Sequence, residues 1–155
     1  MKKLQLFLFP FFLLVFVFAK CEDDDKPIEL SSSIKNYLNE HYPGYELEGS
    51  ENDTLCNGKP VVDVEIEPSE DQELELVFDT EGTLLYTETD IKTADLPAAV
   101  KASIAGAFAG YATKEAARLT LPAGGTQYEA GLKKGSTRLE VIFEAEGTVV
   151  CQKEE

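Results

Sequence analysis

A chain of 155 residues with 43% apolar composition can bury the core of one ordinary domain, or of two very small ones that share an interior. Its 29 acids against 14 bases, a formal net charge of −15, exclude nucleic acid and anionic lipid head groups as partners held by surface charge, because both require a positive protein face. A basic partner, divalent cations or plain solubility remain as what the acid serves.

In chain order, Lys2 and Lys3 precede an uncharged apolar run from Leu6 to Ala19, the layout of a secretory signal over residues 1–20. The run, about fourteen residues interrupted by Pro10, is short for a permanent membrane span. Its removal takes away three lysines and no acid, leaving a net charge of about −18. The segment Phe18-Ala19-Lys20-Cys21 resembles a bacterial lipobox, departing from it at Lys20. That likeness implies lipid attachment at Cys21. The following Glu22-Asp23-Asp24-Asp25-Lys26 resembles the acidic export tag of surface lipoproteins of Bacteroidota, so residues 21–29 are expected to be a lipid-anchored acidic linker.

The remainder falls into two matched stretches, residues 30–91 and 92–155. Leu74-Glu75-Leu76-Val77-Phe78 through Glu81-Gly82-Thr83 reappears as Leu139-Glu140-Val141-Ile142-Phe143 through Glu146-Gly147-Thr148, an offset of 65. At an offset of 66, Ile34, Leu38, Tyr42 and Gly44 meet Val100, Ile104, Phe108 and Gly110. Each stretch opens with a helix. Ile34, Tyr37, Leu38, His41 and Tyr42 recur at helical spacing, with Ser31 to Ser33 as cap candidates and Pro43-Gly44 as the stop. Leu96-Pro97 opens the second helix and Gly110 ends it.

Four strands follow each helix. Val62, Val64 and Ile66 alternate with Asp63, Glu65 and Glu67, while Leu74, Leu76 and Phe78 alternate with acids, which buries one sheet face and leaves the other acidic and wet. Glu81-Gly82 and Glu146-Gly147 read as hairpin turns, and Gly124-Gly125 as a join between strands. Further strands are expected around residues 45–50 and 114–121. The expected fold is α+β: two tandem helix-plus-four-stranded antiparallel units, with the helices on one face of a continuous sheet.

Leu96-Pro97-Ala98-Ala99-Val100, Phe108-Ala109-Gly110-Tyr111, Gln127-Tyr128-Glu129-Ala130-Gly131-Leu132 and Glu140 through Val150 together resemble the PepSY-like, beta-lactamase-inhibitor-like (BLIP-like) exported proteins of Bacteroidota. The likeness covers nearly all of residues 30–155, and the first stretch departs from it where Ser31-Ser32-Ser33 replaces the Leu-Pro opening. The resemblance implies an exposed sheet face that binds a partner protein, and an association with peptidase inhibition.

No catalytic constellation is present in the sequence. His41 is the one histidine, its counterpart is Ala107, and a structural role suits it better than catalysis. No second histidine is present to activate the thiol of Cys56 or Cys151. In an oxidising compartment they are free to pair, although nothing in the sequence brings them together. Neither Asp23-Asp24-Asp25 nor Asp79-Thr80-Glu81-Gly82 has the spacing of a calcium loop, so no metal or cofactor is expected. The expected partner-binding surface is the outward sheet face, with Asp63, Glu65, Glu75, Glu129 and Glu140 as its charge and Val77 and Ile142 as aliphatic anchors, unless those two pack against the other unit or a loop. The chain reads as a monomeric, non-enzymatic lipoprotein of the outer membrane, facing the surface or the periplasm, that binds an exported protein with a basic surface. An inhibitor of an exported peptidase or other enzyme is the narrower form of that expectation, and a calcium- or ligand-binding envelope protein is the alternative.

Overall fold

The computed structural model describes residues 27–69 and 72–154. The signal segment, Cys21 and the acidic stretch after it lie outside the described residues. Helix α1 spans Ser32–His41, and Ser31 caps it by accepting the Ile34 N–H on its Oγ at 3.3 Å. Ile34 and Leu38, one turn apart, are its buried residues, and the left-handed Gly44 (φ 87°) carries the chain out of it. Helix α2 spans Ala98–Ala107, with Pro97 as its N-cap residue and Val100 and Ile104 buried. Among the described residues no helix is long and apolar enough to cross a membrane.

The strands are β1 (Glu46–Thr54), β2 (Pro60–Ser69), β3 (Gln72–Asp79), β4 (Leu84–Asp90), β5 (Ala112–Thr120), β6 (Thr126–Lys134), β7 (Thr137–Glu144) and β8 (Val149–Glu154). They form one antiparallel sheet in sequence order, so each strand pairs with its chain neighbours. The order of elements is a helix and four strands, then again a helix and four strands. The alternation read from the sequence places these strands, although β1 runs several residues further than expected. At the β3–β4 turn the Asp79 carboxylate accepts the N–H groups of Glu81 and Thr83 at 3.1 and 2.7 Å, so its acid serves the turn.

Two apolar clusters lie under the helices. Ile34 and Leu38 pack with Val64, Ile66, Leu76 and Phe78. Val100, Ile104 and Phe108 pack with Ala130, Leu132, Val141 and Phe143, where the Phe108 and Phe143 rings meet edge to face at 6.1 Å. Each fully buried aliphatic or aromatic side chain here contributes about 1.5–3 kcal/mol.

A third cluster has the opposite strand parity: Val61, Val77, Tyr86, Ala117, Leu119 and Ile142. Val77 is 2% exposed and Ile142 5%. The sequence-based expectation that they project as exposed anchors is therefore corrected, and the alternative that they pack against the other half holds. Sheet curvature is the cause. Strand pairing slips at Leu47/Gly49, Val77/Phe78, Thr113/Glu115 and Ile142/Phe143, and irregularities of this kind sharpen the local bend.

The bend brings the two edge strands together at one end. Cys56, in the β1–β2 loop, is disulfide-bonded to Cys151 on β8. The Lys153 ammonium on β8 reaches Asp53 Oδ2 at 3.1 Å and the Thr54 carbonyl at 3.2 Å, both on β1. What the alternation presented as a flat wet face is the inside of a curled sheet.

Candidate functional site

The inner face owes its chemistry to acids spaced by two along neighbouring strands. Asp63 on β2, Glu75 on β3, Glu88 on β4, Glu129 on β6 and Glu140 on β7 converge with Asp53 of β1 and Lys153 of β8 around a cavity of about 90 Å³. Leu55, Val61, Val77 and Tyr86 also border it but leave almost no apolar surface open to it. Four of the five acids expected at a partner surface, Asp63, Glu75, Glu129 and Glu140, are half-buried here, and Glu65 is exposed at the rim. Glu88 escaped the sequence reading because β4 offers little alternation of its own; the cross-strand partner of Glu75 was the signal that could have found it.

One cation serves this group. The Lys153 ammonium contacts Glu140 Oε2 at 2.9 Å in addition to its β1 contacts. Burial works to lower its pKa, but the hydrogen bonds to Glu140 and Asp53 outweigh this, and the net shift is upward. The other carboxyls are pushed toward their neutral forms. Asp63 is raised to about 7, first by burial and then by the charges of Glu75, Asp53 and Glu51, and its Oδ1 is buried without a hydrogen-bond partner. Glu75 is raised by burial and by Glu65. Glu88, raised by desolvation and then by Glu75, and Glu129, raised by desolvation and then by Glu88, are held well above the ordinary carboxylate range. Burial likewise pushes the Tyr86 phenol up.

Two larger recesses flank the cavity, the first lined by acids and the second by acids and bases together. One, about 480 Å³, runs from Pro27 and Ile28 past Gly49 to Asp63, Glu65 and Glu75. The other, about 220 Å³, lies among Lys114, Glu115, Glu129, Gly131, Lys133, Arg138 and Glu140. Their shared positions correspond at an offset of 65 or 66, where Lys114 stands in place of Glu48 and the pair Gly49 and Glu65 is exchanged for Glu115 and Gly131. Gly49 faces Glu65 across β1 and β2, whereas Glu115 faces Gly131 across β5 and β6. A Cβ on Gly49 would lie 3.0 Å from Glu65 Oε2, and one on Gly131 would lie 3.1 Å from Glu115 Oε2. Each glutamate therefore lies over the glycine opposite and would have to shift for a larger residue there.

No protein-family model and no curated protein matches the sequence. Solved structures do match. A BLIP-like protein from Bacteroides fragilis superposes with a TM-score of 0.52 at 20% identity, over 86% of this chain and 92% of that one. The fold is BLIP-like. DUF2874 family proteins share it: that of Bacteroides uniformis has a TM-score of 0.57 at 13% identity over 81% of this chain and 90% of its own. That of Bacteroides ovatus gives 0.55 at 12%, over 84% and 89%. At such identities the likeness extends to the fold alone.

Other sequence candidates find different places. His41 is exposed at the end of α1, its ring 4.2 Å from that of Tyr37, rather than on the buried side of the helix. Near the open end of the sheet, carboxylates of Glu46, Glu48 and Glu67 lie within 4.8 Å of one another, close enough to share a cation. Exposed acids of this kind are also ordinary surface.

Proposed function

We propose that this chain is an exported, lipid-anchored protein-binding module that holds the basic surface of an exported partner against its acidic inner face. In this proposal the chain is two tandem copies of a helix-plus-four-strand unit, with both helices on the outer side of the sheet. Cys21 carries the anchor, and the molecule acts as a monomer at the outer membrane. One observation carries the reading: carboxylates from six strands converge on a cavity of the curled face whose lining holds one ammonium, Lys153. Packing alone has no use for this arrangement, since each desolvated like charge opposes folding. Charge complementarity with a partner gives it a use. When the partner is an exported peptidase or other enzyme, its coverage by the module inhibits it at a one-to-one ratio.

The test is capture from the native envelope with the full-length chain, washed at increasing salt. Capture that weakens through about 0.5 M salt, where charges are screened beyond a few ångströms, supports the proposal. Charge reversal of the exposed rim acids, Glu65→Lys with Glu115→Lys, is expected to abolish it. Undiminished capture by that variant would move the site to the helices or the outer surface. The Glu46, Glu48 and Glu67 trio motivates the calcium reading, and a rise in Tm at millimolar calcium that disappears with Glu48→Gln would favour it instead.

A further inference from the structure

On three strands of each half the inner face carries a matching ladder of side chains whose charge differs at one point. In the second half, Glu129, Glu140 and Lys153 stand on successive strands, and Glu140 lies directly opposite Lys153 across β7 and β8. In the first half the corresponding residues are Asp63, Glu75 and Glu88, and Glu75 lies directly opposite Glu88 across β3 and β4. A cross-strand pair of like charge is destabilising where one of opposite charge stabilises. The chain thus satisfies one copy of the ladder with its own ammonium and places a carboxyl at the same point of the other. Asp63, Glu75, Glu88 and Glu129 face the cavity while Lys153 is engaged by Asp53 and Glu140.

We infer that this cavity receives one lysine or arginine side chain of the partner, whose cationic end stands to Glu75 and Glu88 as Lys153 stands to Glu140. The inference rests on the reading of the chain as a protein-binding module. Size agrees with it. About 90 Å³ corresponds to roughly three waters at their share of liquid volume, room for the end of one long side chain and not for a ring system or a helix. The walls agree as well. The surface that the cavity exposes is almost wholly polar, with Val61, Val77, Leu55 and Tyr86 set behind the acids, which suits the charged end of a side chain. Entry of a cation favours the charged forms of the surrounding carboxyls, so binding near neutral pH releases protons to solvent. The titratable groups facing the cavity are Asp53 from β1, Asp63 from β2, Glu75 from β3, Tyr86 and Glu88 from β4, Glu129 from β6, Glu140 from β7 and Lys153 from β8; β5 supplies none.

The experiment uses the full-length chain in detergent and acetylated pentapeptide amides, Gly-Gly-X-Gly-Gly, with X lysine, arginine, norleucine or acetyl-lysine. Amide and methyl NMR shifts locate binding, and calorimetry in two buffers of different ionisation enthalpy counts protons. The lysine or arginine peptide should shift Val77, Tyr86, Ala117 and Ile142 and release about one proton, whereas the two neutral peptides should bind at least tenfold more weakly. Glu88→Gln with Glu129→Gln should cost at least tenfold, and folding is secure because glutamine copies the protonated acid; Glu146→Gln, in an exposed turn, should change nothing. Equal binding of norleucine, shifts confined to other surfaces, or calcium displacing the peptide with higher affinity would each overturn the inference. Partner capture that survives Glu88→Gln with Glu129→Gln but is lost on rim charge reversal would leave the module standing and remove the cavity. Loss of capture in neither variant removes both.

Discussion

Removing the Cys56–Cys151 bridge offers the sharpest test of the curled sheet. The two cysteines are 95 residues apart, so the bridge closes most of the domain into one loop. The chain-entropy relation for a loop of that length gives about 4.7 kcal/mol of stabilisation at 25 °C, acting on the unfolded state. Engineered and native bridges commonly deliver less, so we expect a loss of about 3 kcal/mol for Cys56→Ser with Cys151→Ser. For roughly 125 ordered residues the unfolding entropy near the transition is about 0.26 kcal/mol/K, which converts that loss to a fall in Tm of about 12 °C. The assay is urea and thermal unfolding of wild type with and without dithiothreitol, beside the double serine variant. Reduced wild type and the variant should coincide, since both lack the same constraint. Free thiols in the air-oxidised protein, with a urea midpoint that dithiothreitol does not move, would refute the closure of the sheet edges by this bond.

Stability should fall with rising pH, the reverse of the usual carboxylate trend. Asp63, raised to about 7, keeps a proton in the folded state between roughly pH 4 and pH 7 that the unfolded chain has already lost, so each step upward in that window disfavours folding. At 1.36 kcal/mol per unit the shift from 3.8 would be worth about 4 kcal/mol, which solvent screening at this part-open site reduces to about 1–2 kcal/mol. Asp63→Asn should recover that amount at pH 8 and almost nothing at pH 4; a stability flat from pH 5 to pH 8 in urea titrations would contradict this. Gly147→Ala should cost about 3 kcal/mol or more, because φ is 88° and the new Cβ would lie 2.5 Å from the Ala99 carbonyl oxygen at the start of α2. Gly58→Ala, with φ 81° and open space, should cost only about 1 kcal/mol, and equal losses in chemical denaturation would dismiss the turn-to-helix contact. Ile142→Ala should cost about 2–4 kcal/mol by the same measurement, whereas an exposed anchor would lose almost nothing.

The elements were legible because their signals are local. The Ser31 cap, the turns at Gly82 and Gly147 and the alternation through Val62 to Ile66 each act within a few residues. Curvature was not. Alternation assigns Asp63 and Glu75 to one face and Val64 and Leu76 to the other, but it is silent on whether a face is flat, convex or rolled inward. The apolar triplets Leu76-Val77-Phe78 and Val141-Ile142-Phe143 did contain the hint, since a strand with one wet face has no reason to be apolar at three consecutive positions. The pairing of Cys56 with Cys151 depends on that same curvature, and so stayed open until the strands were placed. Of the cavity, the acids on β2, β3, β6 and β7 could be read from period-two spacing. Glu88 and Lys153 became visible only through their cross-strand partners.

The exchange between Gly49/Glu65 and Glu115/Gly131 constrains how this protein can vary. Each glutamate occupies space that its opposite glycine vacates, so a side chain added at either glycine has to displace the glutamate by a few tenths of an ångström. Loss of the glutamate would leave the rim one carboxylate short. Moving a glutamate to the other strand and its glycine across at the same time preserves both shape and charge. Each pair therefore has two permitted states, and this chain displays one of each. Variants that pass between them should do so as doubles, with both singles less stable than either end.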